Sequence, residues 1–438
     1  MIKSQSAWQR LGTSLAVLLL CQIVASRALG EARQTPSLAS YGPSADSYQR
    51  AANYSRQHAG DALVVMSHGR IVFEDYAEGA GPDKPHRLAS GTKTFWGVLA
   101  VAAAQDGLLS LDEKVSDTLT EWQSDPHKQG ITVRQLLNFT SGLDPAEKLF
   151  KGNPKSTDKF KDVIQIGSVN EPGRTFDYGP SHLFAFGAFL QRKLAAAGKP
   201  SDPLEYLQGR VLDPIGLKVG RWTTDAAGNP IMPAGAYIAP REWIKLGQLL
   251  SNQGSWNGHQ VIAPTFLQQI FDGSEASPYY GLTLWLNKST RGGEGIEAVD
   301  GRNARRRQKS DDGFIYKNGP ADLAMAAGQG IQRLYIIPSL EMVIVRQGDS
   351  KGDWVDKDFL SILLATASSE PSAAAQPATQ ESSTPDWLSA CTADIRRLCP
   401  ADSERDNKVL RRCLKQHRQE VSSECRRAAR AARKNSGG

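Results

Sequence analysis

Ser90-Gly91-Thr92-Lys93 places a hydroxyl and an amine three residues apart. A serine hydroxyl is a weak nucleophile at neutral pH and needs a base beside it. Residues three apart share a helix face, so Lys93 can reach the Ser90 hydroxyl. The stretch Thr92 to Gln105 is apolar on most faces and predicts a helix buried in a core. Ser90 would then stand at the helix N-terminus, where N–H groups and the dipole favour developing negative charge. Burial against Phe95 and Trp96 would favour the neutral amine that a base requires. Spacing alone does not discriminate, because Ser156-Thr157-Asp158-Lys159 repeats it. That copy lies in the polar stretch Lys151 to Lys161, which reads as a loop and would not hold the pair on one face.

Three further groups could serve the same chemistry. Tyr178, in Phe176-Asp177-Tyr178-Gly179-Pro180-Ser181, could relay protons beside a lysine. Ala327-Gly328-Gln329-Gly330-Ile331-Gln332 precedes an apolar strand, and its glycines would let a substrate approach the backbone. A backbone N–H there, together with that of Ser90, could form an oxyanion hole. His182 lies near Tyr178, but such a histidine is more often on a helix surface than a base. Other mechanisms lack their signatures. No G-x-S-x-G elbow occurs. The 7 histidines show neither H-E-x-x-H nor close pairing. No glycine-rich phosphate loop follows a strand. The expectation is a site without metal or cofactor.

The elements that must hold these groups can be read around them. Ala62–Met66 and Ile71–Tyr76 flank Ser67-His68-Gly69-Arg70, a hairpin signal. Gly107 ends the helix after Ser90. Further helices are expected at Val133–Leu137, Phe184–Leu194 and Pro240–Leu250. Strands are expected at Tyr279–Leu286, Leu334–Pro338 and Met342–Arg346. Strands at both ends with helices between predict one sheet built from both chain termini. Arg302–Lys309 reads as a solvated basic loop.

The chain has 438 residues, with 40% hydrophobic and 22% charged, which suits one large globular domain with appendages. Its net charge is +6. From Asp386 onward there are 13 Lys/Arg against 7 Asp/Glu, so the whole excess lies in the tail. A nucleic-acid role for the large domain therefore has no support. Residues 1–30 read as a signal peptide: Lys3 and Arg10, the apolar run Leu15 to Val24, then Ala28-Leu29-Gly30 before cleavage. After cleavage no transmembrane segment is expected, and the protein would be secreted or periplasmic. Of 5 cysteines, Cys21 leaves with the signal, and Cys391, Cys399, Cys413 and Cys425 remain. An even number in an exported chain implies two disulfides, with the connectivity open. The expected organisation is a polar segment at 31–46, a catalytic domain at 47–367, a Ser/Ala/Pro/Gln-rich linker at 368–385 and a basic cysteine-rich helical module at 386–438. In that module Leu410, Leu414, His417 and Val421 share one helical face.

In order along the chain, these segments resemble a known family. Ser90-x-x-Lys93, Asp106-Gly107-Leu108-Leu109-Ser110-Leu111-Asp112, Thr132-Val133-Arg134-Gln135-Leu136-Leu137 and Thr140-Ser141-Gly142-Leu143 are its first motifs. Asp177-Tyr178, Leu246-Gly247-Gln248-Leu249-Leu250 and Gly254-Ser255-Trp256-Asn257-Gly258 continue it. Together, over roughly Ala62 to Ala365, they resemble serine β-lactamase-like and penicillin-binding-type hydrolases, most of all the class C β-lactamase, esterase and 6-aminohexanoate-oligomer hydrolase branch. The resemblance implies an α/β (α+β) fold: an antiparallel-rich sheet flanked by helices, plus a helical subdomain. It implies acylation of Ser90, proton transfer by Lys93 and Tyr178, and hydrolysis by water. Two departures narrow the substrate. The place that usually holds Asn after the tyrosine holds Pro180, which Ser181 only partly replaces. The Lys-Thr-Gly element is absent, and Ala326-Ala327-Gly328 or Gly328-Gln329-Gly330 stands there. Both favour a small-molecule or oligomeric ester or amide over a β-lactam. A second reading is a non-catalytic or weakly active penicillin-binding-like protein that binds a cell-envelope ligand.

The tail pattern Cys391-x-x-Asp394-Ile395-x-x-Leu398-Cys399, Cys413-Leu414-Lys415 and Ser423-x-Cys425-Arg426 resembles the cysteine-rich repeat of Golgi-apparatus protein 1. Its basic character suits an anionic envelope polymer, or an inert appendage.

Overall fold

The computed structural model describes residues 43–146, 157–290, 299, 313–349 and 354–365, with 391, 394–395, 397–399, 413–417, 419–423 and 425–426 of the tail. The signal segment 1–30, residues 31–42 of the polar segment, the linker 368–385, the loop Arg302–Lys309 and Ser156 lie outside these residues. The chain divides into two units, Met1–Ser368 and Ser369–Gly438.

In the first unit, β1 (Gly60–Ser67), β2 (Arg70–Tyr76), β3 (Trp285–Leu286), β4 (Ala324–Gly328), β5 (Gln332–Ile337) and β6 (Met342–Gly348) form one sheet in the order β2-β1-β6-β5-β4-β3. The pairings between neighbours are antiparallel. The β1–β2 hairpin turns through His68 and Gly69, with φ of 48° and 71°. Two successive positive φ values suit a two-residue turn whose twist matches the strands. Strand β1 pairs with β6, with Val64 opposite Val345, so both ends of the domain meet in the middle of the sheet.

Helices cover the sheet because its side chains alternate. Leu334 and Val343 face α5 (Pro240–Ser251), where a Cβ on Gly247 would lie 2.4 Å from Val343 Cγ1. Only glycine lets this helix approach so closely. Arg333 and Tyr335 point the other way, toward α6 (Asp356–Leu363), and Tyr335 stacks on Phe359 at 5.7 Å. Helix α1 (Ala45–Gln57) lies with α6, its Tyr54 ring 5.0 Å from Trp354. A capping box at Ser44 and Ser47 starts α1, so helix occupies the end of the segment expected to be loosely ordered.

Helix α2 (Thr94–Gln105) is buried on nearly every face. It stops at Gly107 as expected: Leu108 N–H reaches Ala103 O and Gly107 N–H reaches Ala104 O, with Gly107 at φ 71°. Helix α3 (Val133–Leu137) opens with a Thr132/Gln135 capping box. Helix α4 (Ser181–Ala196) begins three residues before the expected start. One expected element is largely absent. Of Tyr279–Leu286, only Trp285 and Leu286 are strand. Gly281 N–H bonds Leu284 O at 2.8 Å, and Thr283 sits at φ 62°, so the apolar run folds back on itself. Among the described residues no helix is long and apolar enough to cross a membrane.

A buried ion pair locks α6 to the sheet. Asp356 accepts from Arg333 Nε at 2.8 Å, from Trp354 Nε1 at 3.0 Å and from the Tyr335 hydroxyl. Burial alone would raise its carboxyl pKa, but the Arg333 charge and these donors outweigh that and hold it below the usual range. Replacing Asp356 with Ala takes the carboxylate away from a buried guanidinium, and urea unfolding is expected to show a loss of about 3–5 kcal/mol. Because the folded value is lowered, this contribution is complete above the unfolded value of about 3.9. It is lost as pH falls through the folded value, so the wild-type advantage over Asp356→Ala should shrink only in acid. An advantage that is constant with pH would contradict the assignment.

In the second unit the disulfides join Cys391 to Cys425 and Cys399 to Cys413. Cys391, Ile395, Val421 and Cys425 form a small apolar cluster. Asp394 accepts from Ser422 N–H at 2.9 Å. Of the expected helical face, Leu410 lies outside the described residues and Leu414 stands in the helical stretch 413–416, after which the chain turns, with Glu420 and Val421 N–H both donating to His417 O. So few apolar residues cannot hold a core alone, and the disulfides supply the missing restraint.

Candidate active site

Ser90 does not stand on the α-helix proper. It is the second residue of a 3₁₀ turn, Ala89–Lys93, that leads into α2. In such a turn residues three apart eclipse. Lys93 Nζ accordingly lies 2.8 Å from Ser90 Oγ. The pair is aligned more directly than α-helical spacing would allow. Ala89 enters the turn at φ 46°, and this left-handed conformation in a non-glycine residue stores strain beside the serine.

Lys93 is 4% exposed, while Ser90 keeps part of its surface open. Lys93 Nζ also donates to Pro233 O at 3.0 Å. Two more bonds tie the same segment to the turn and α2: Ala236 N–H to Thr92 Oγ1 at 3.2 Å, and Trp96 Nε1 to Met232 O at 2.7 Å. Met232–Ala236 was not among the candidates read from sequence. It contributes backbone carbonyls, which leave no mark in residue type.

Two glycines permit the close packing. A Cβ on Gly91 would lie 2.9 Å from the Trp243 ring, which supports the turn from below. A Cβ on Gly328 would lie 2.0 Å from Leu88 O and 2.9 Å from Gly91 N. The end of β4 is thus pressed onto the serine turn at Gly328. Gln329 and Gly330 lie beyond it, in the β4–β5 turn. Their carbonyls accept from Gln332 Nε2 at 3.3 Å and Arg346 Nη1 at 3.0 Å.

Tyr178 precedes α4, and its ring centroid is 5.0 Å from Lys93 Nζ. Its ring stacks on Trp285 at 5.7 Å and lies 5.4 Å from Phe139. Tyr280 meets it edge-on at 6.4 Å. Burial, reinforced by neighbouring Tyr178, keeps the Tyr280 hydroxyl well above its ordinary pKa, so Tyr280 stays neutral.

The remaining candidates fall elsewhere. Ser181 has no exposed surface, and its hydroxyl donates to Asp144 O at 2.7 Å, so the structure does not present it to a substrate. His182 is buried, contrary to the surface position expected. Its Nε2 meets Asp177 O at 2.7 Å and its Nδ1 meets Ser141 Oγ at 2.8 Å. Burial lowers its pKa to about 4, so it is neutral near pH 7. Lys159 opens a short helix, Lys159–Ile164, rather than lying in a loop, and is itself buried.

A profile of the family described as Beta-lactamase matches residues 45–321. The fold is similar to EstCE1, a hydrolase with promiscuous acyltransferase activity, at a TM-score of 0.54 and 17% identity over 73% of this chain and 97% of that one. It is also similar to a D-stereospecific amidohydrolase from Streptomyces sp., at a TM-score of 0.53 and 17% identity over 74% of this chain and 100% of that one. These likenesses show the fold. A curated relative, monacolin J acid methylbutanoyltransferase of Aspergillus terreus, is 31% identical over 159 residues, which is 31% of this chain and 37% of that protein. The chain therefore matches well under half of that relative's length.

Proposed function

This chain belongs to the Beta-lactamase family, and from that premise we propose that it is an exported serine hydrolase that cleaves ester or small amide bonds, with esters preferred, through an acyl-enzyme on Ser90. Family membership supports serine-hydrolase or acyltransferase chemistry in general. The observation that carries the finer reading is the 2.8 Å contact between a buried lysine and a part-exposed serine, with Tyr178 over the same lysine.

Ser90 Oγ attacks the substrate carbonyl while its proton passes to Lys93 Nζ. The oxyanion is received by the Ser90 N–H and by a backbone N–H of Gly328–Gly330, where β4 ends and the turn after it begins. Lys93 and Tyr178 return a proton to the departing alkoxide. Water then attacks the acyl carbon, its proton follows the same route, and Ser90 is released with the carboxylic acid.

Selectivity follows from what the site lacks. Pro180 has no side-chain amide, Ser181 is sealed, and no Lys-Thr-Gly element offers a cation to a substrate carboxylate. The acyl-transfer names of EstCE1 and the methylbutanoyltransferase support an ester substrate. Export is supported by residues 1–30 and by the paired tail cysteines. The tail's likeness to the Golgi-apparatus protein 1 repeat and its basic excess support an anionic envelope polymer as its partner.

A panel of short p-nitrophenyl esters, a linear anilide and a chromogenic β-lactam tests the substrate class. The esters should exceed the β-lactam in kcat/KM by about 10²-fold or more, as expected when a site lacks groups to bind the rejected substrate's polar parts. A β-lactam turned over as fast as the esters would overturn the ester preference.

A further inference from the structure

We infer that His182 is a positioning residue for Tyr178: it holds the peptide in front of Tyr178 and so fixes where the phenol stands against Lys93. The inference rests on the reading of Tyr178 as a proton-transfer partner.

The hydrogen bonds define the imidazole. Asp177 O can only accept, so His182 Nε2 carries the proton across the 2.7 Å contact. Nδ1 is then bare and accepts from Ser141 Oγ at 2.8 Å. One neutral tautomer is selected by two bonds of opposite sense, and both nitrogens are used. A ring so committed has no nitrogen left to act as a base.

Asp177 is held from other sides as well. Its N–H donates to Phe139 O at 3.0 Å, and its carboxylate accepts from Asn170 Nδ2 at 2.9 Å. Tyr178 is the next residue, so it inherits this fixed backbone. The rings repeat the linkage. His182 stacks on Phe139 at 4.9 Å with 16° between planes, and Phe139 lies 5.4 Å from Tyr178. Phe139 itself sits at φ 61°, a left-handed conformation that is strained for an L-residue with a Cβ. Such strain persists where the surroundings over-determine it. Here they do so through the capped helix α3, the Asp177 bond and the His182 stack. The place calls for a flat ring and one N–H donor together, which histidine supplies.

Three substitutions at 182 separate ring from donor. His182→Phe keeps a stacking ring and removes the donor. His182→Gln keeps a donor where Nε2 stood, and His182→Asn is too short to reach Asp177 O. Turnover of a short-chain ester by His182→Phe should fall about 10- to 100-fold in kcat, with KM within about twofold, as for a catalytic group displaced by a fraction of an ångström. His182→Gln should recover kcat to within about fivefold of wild type, and His182→Asn should not. In a Tyr178→Phe background, His182→Phe should cause no further loss, because the two act as one unit. If Tyr178→Phe itself retains wild-type kcat, the role of Tyr178 fails and the inference falls with it. If Tyr178→Phe is slow while His182→Phe keeps full kcat, or the two losses multiply, only the positioning role is overturned. Should His182→Phe fail to give a cooperative thermal transition, the Gln and Asn variants decide, and equal kcat in the two overturns the inference.

Discussion

Replacing Ser90 with Ala is expected to lower turnover of a short p-nitrophenyl ester by at least about 10³-fold, because the nucleophile that divides the reaction into two steps is gone. Folding should be almost untouched. Ser90 is part-exposed, and the turn that carries it is shaped by other contacts: Gly91 N–H to Leu88 O, the Trp243 ring beneath Gly91, and Gly328 against Leu88. The thermal midpoint of Ser90→Ala should therefore stay within about 2 °C of wild type, as for a surface change of a few tenths of a kcal/mol. Turnover that survives in purified Ser90→Ala would remove the nucleophile from the account. Loss of both turnover and midpoint would show that the serine is structural.

Lys93 should be nearly as costly to replace. A positioned base contributes about 10²–10⁴-fold, and Lys93→Met, which keeps the length and apolar stem, should lose that much in kcat. The informative variant is Lys93→Arg. Arginine would put a permanent positive charge at the same place and does not release its proton in proteins, so it cannot take one from Ser90. If Lys93 served only as a cation near the oxyanion, arginine would restore much of the rate. The proposed role requires that it does not, and recovery to within about tenfold of wild type would contradict it. Both variants carry a stability cost, since Lys93 is buried and donates to Pro233 O. Rates must therefore be compared below the midpoint of each variant.

The parts of the molecule governed by local pattern were legible from sequence. The apolar run Thr92 to Gln105, the glycine at 107 and the hairpin at His68-Gly69 each carry their own physical signal; the helix runs from Thr94, two residues later than expected, and the other two formed as expected. The 3₁₀ opening before α2 was not legible. Its Gly91 to Leu88 bond competes closely with α-helical bonding, and the choice is made by Trp243 and Gly328, residues distant in sequence. Tyr279–Leu286 misled for a similar reason. Apolar periodicity cannot tell a strand from a buried turn, and this turn is fixed by Thr283 N–H reaching Leu137 O. In the candidate site, Ser90 and Lys93 were visible as a spacing, and Tyr178 as a tyrosine able to relay protons beside a lysine, a reading the resemblance reinforced. Pro233 acts through its carbonyl, which every residue has. His182 was misplaced because its burial depends on Ser141, forty-one positions earlier. The tail cysteines announced two disulfides but not their partners, because four cysteines allow three pairings.

The most direct test of the central claim is intact-mass analysis of wild-type protein after reaction with a fluorophosphonate serine probe, followed by peptide mapping. The account predicts one adduct per chain, on the peptide that contains Ser90, with ester turnover lost in proportion to labelling and no adduct in Ser90→Ala. Full labelling at another residue, Ser156 included, or ester turnover that persists in fully labelled protein, would contradict it.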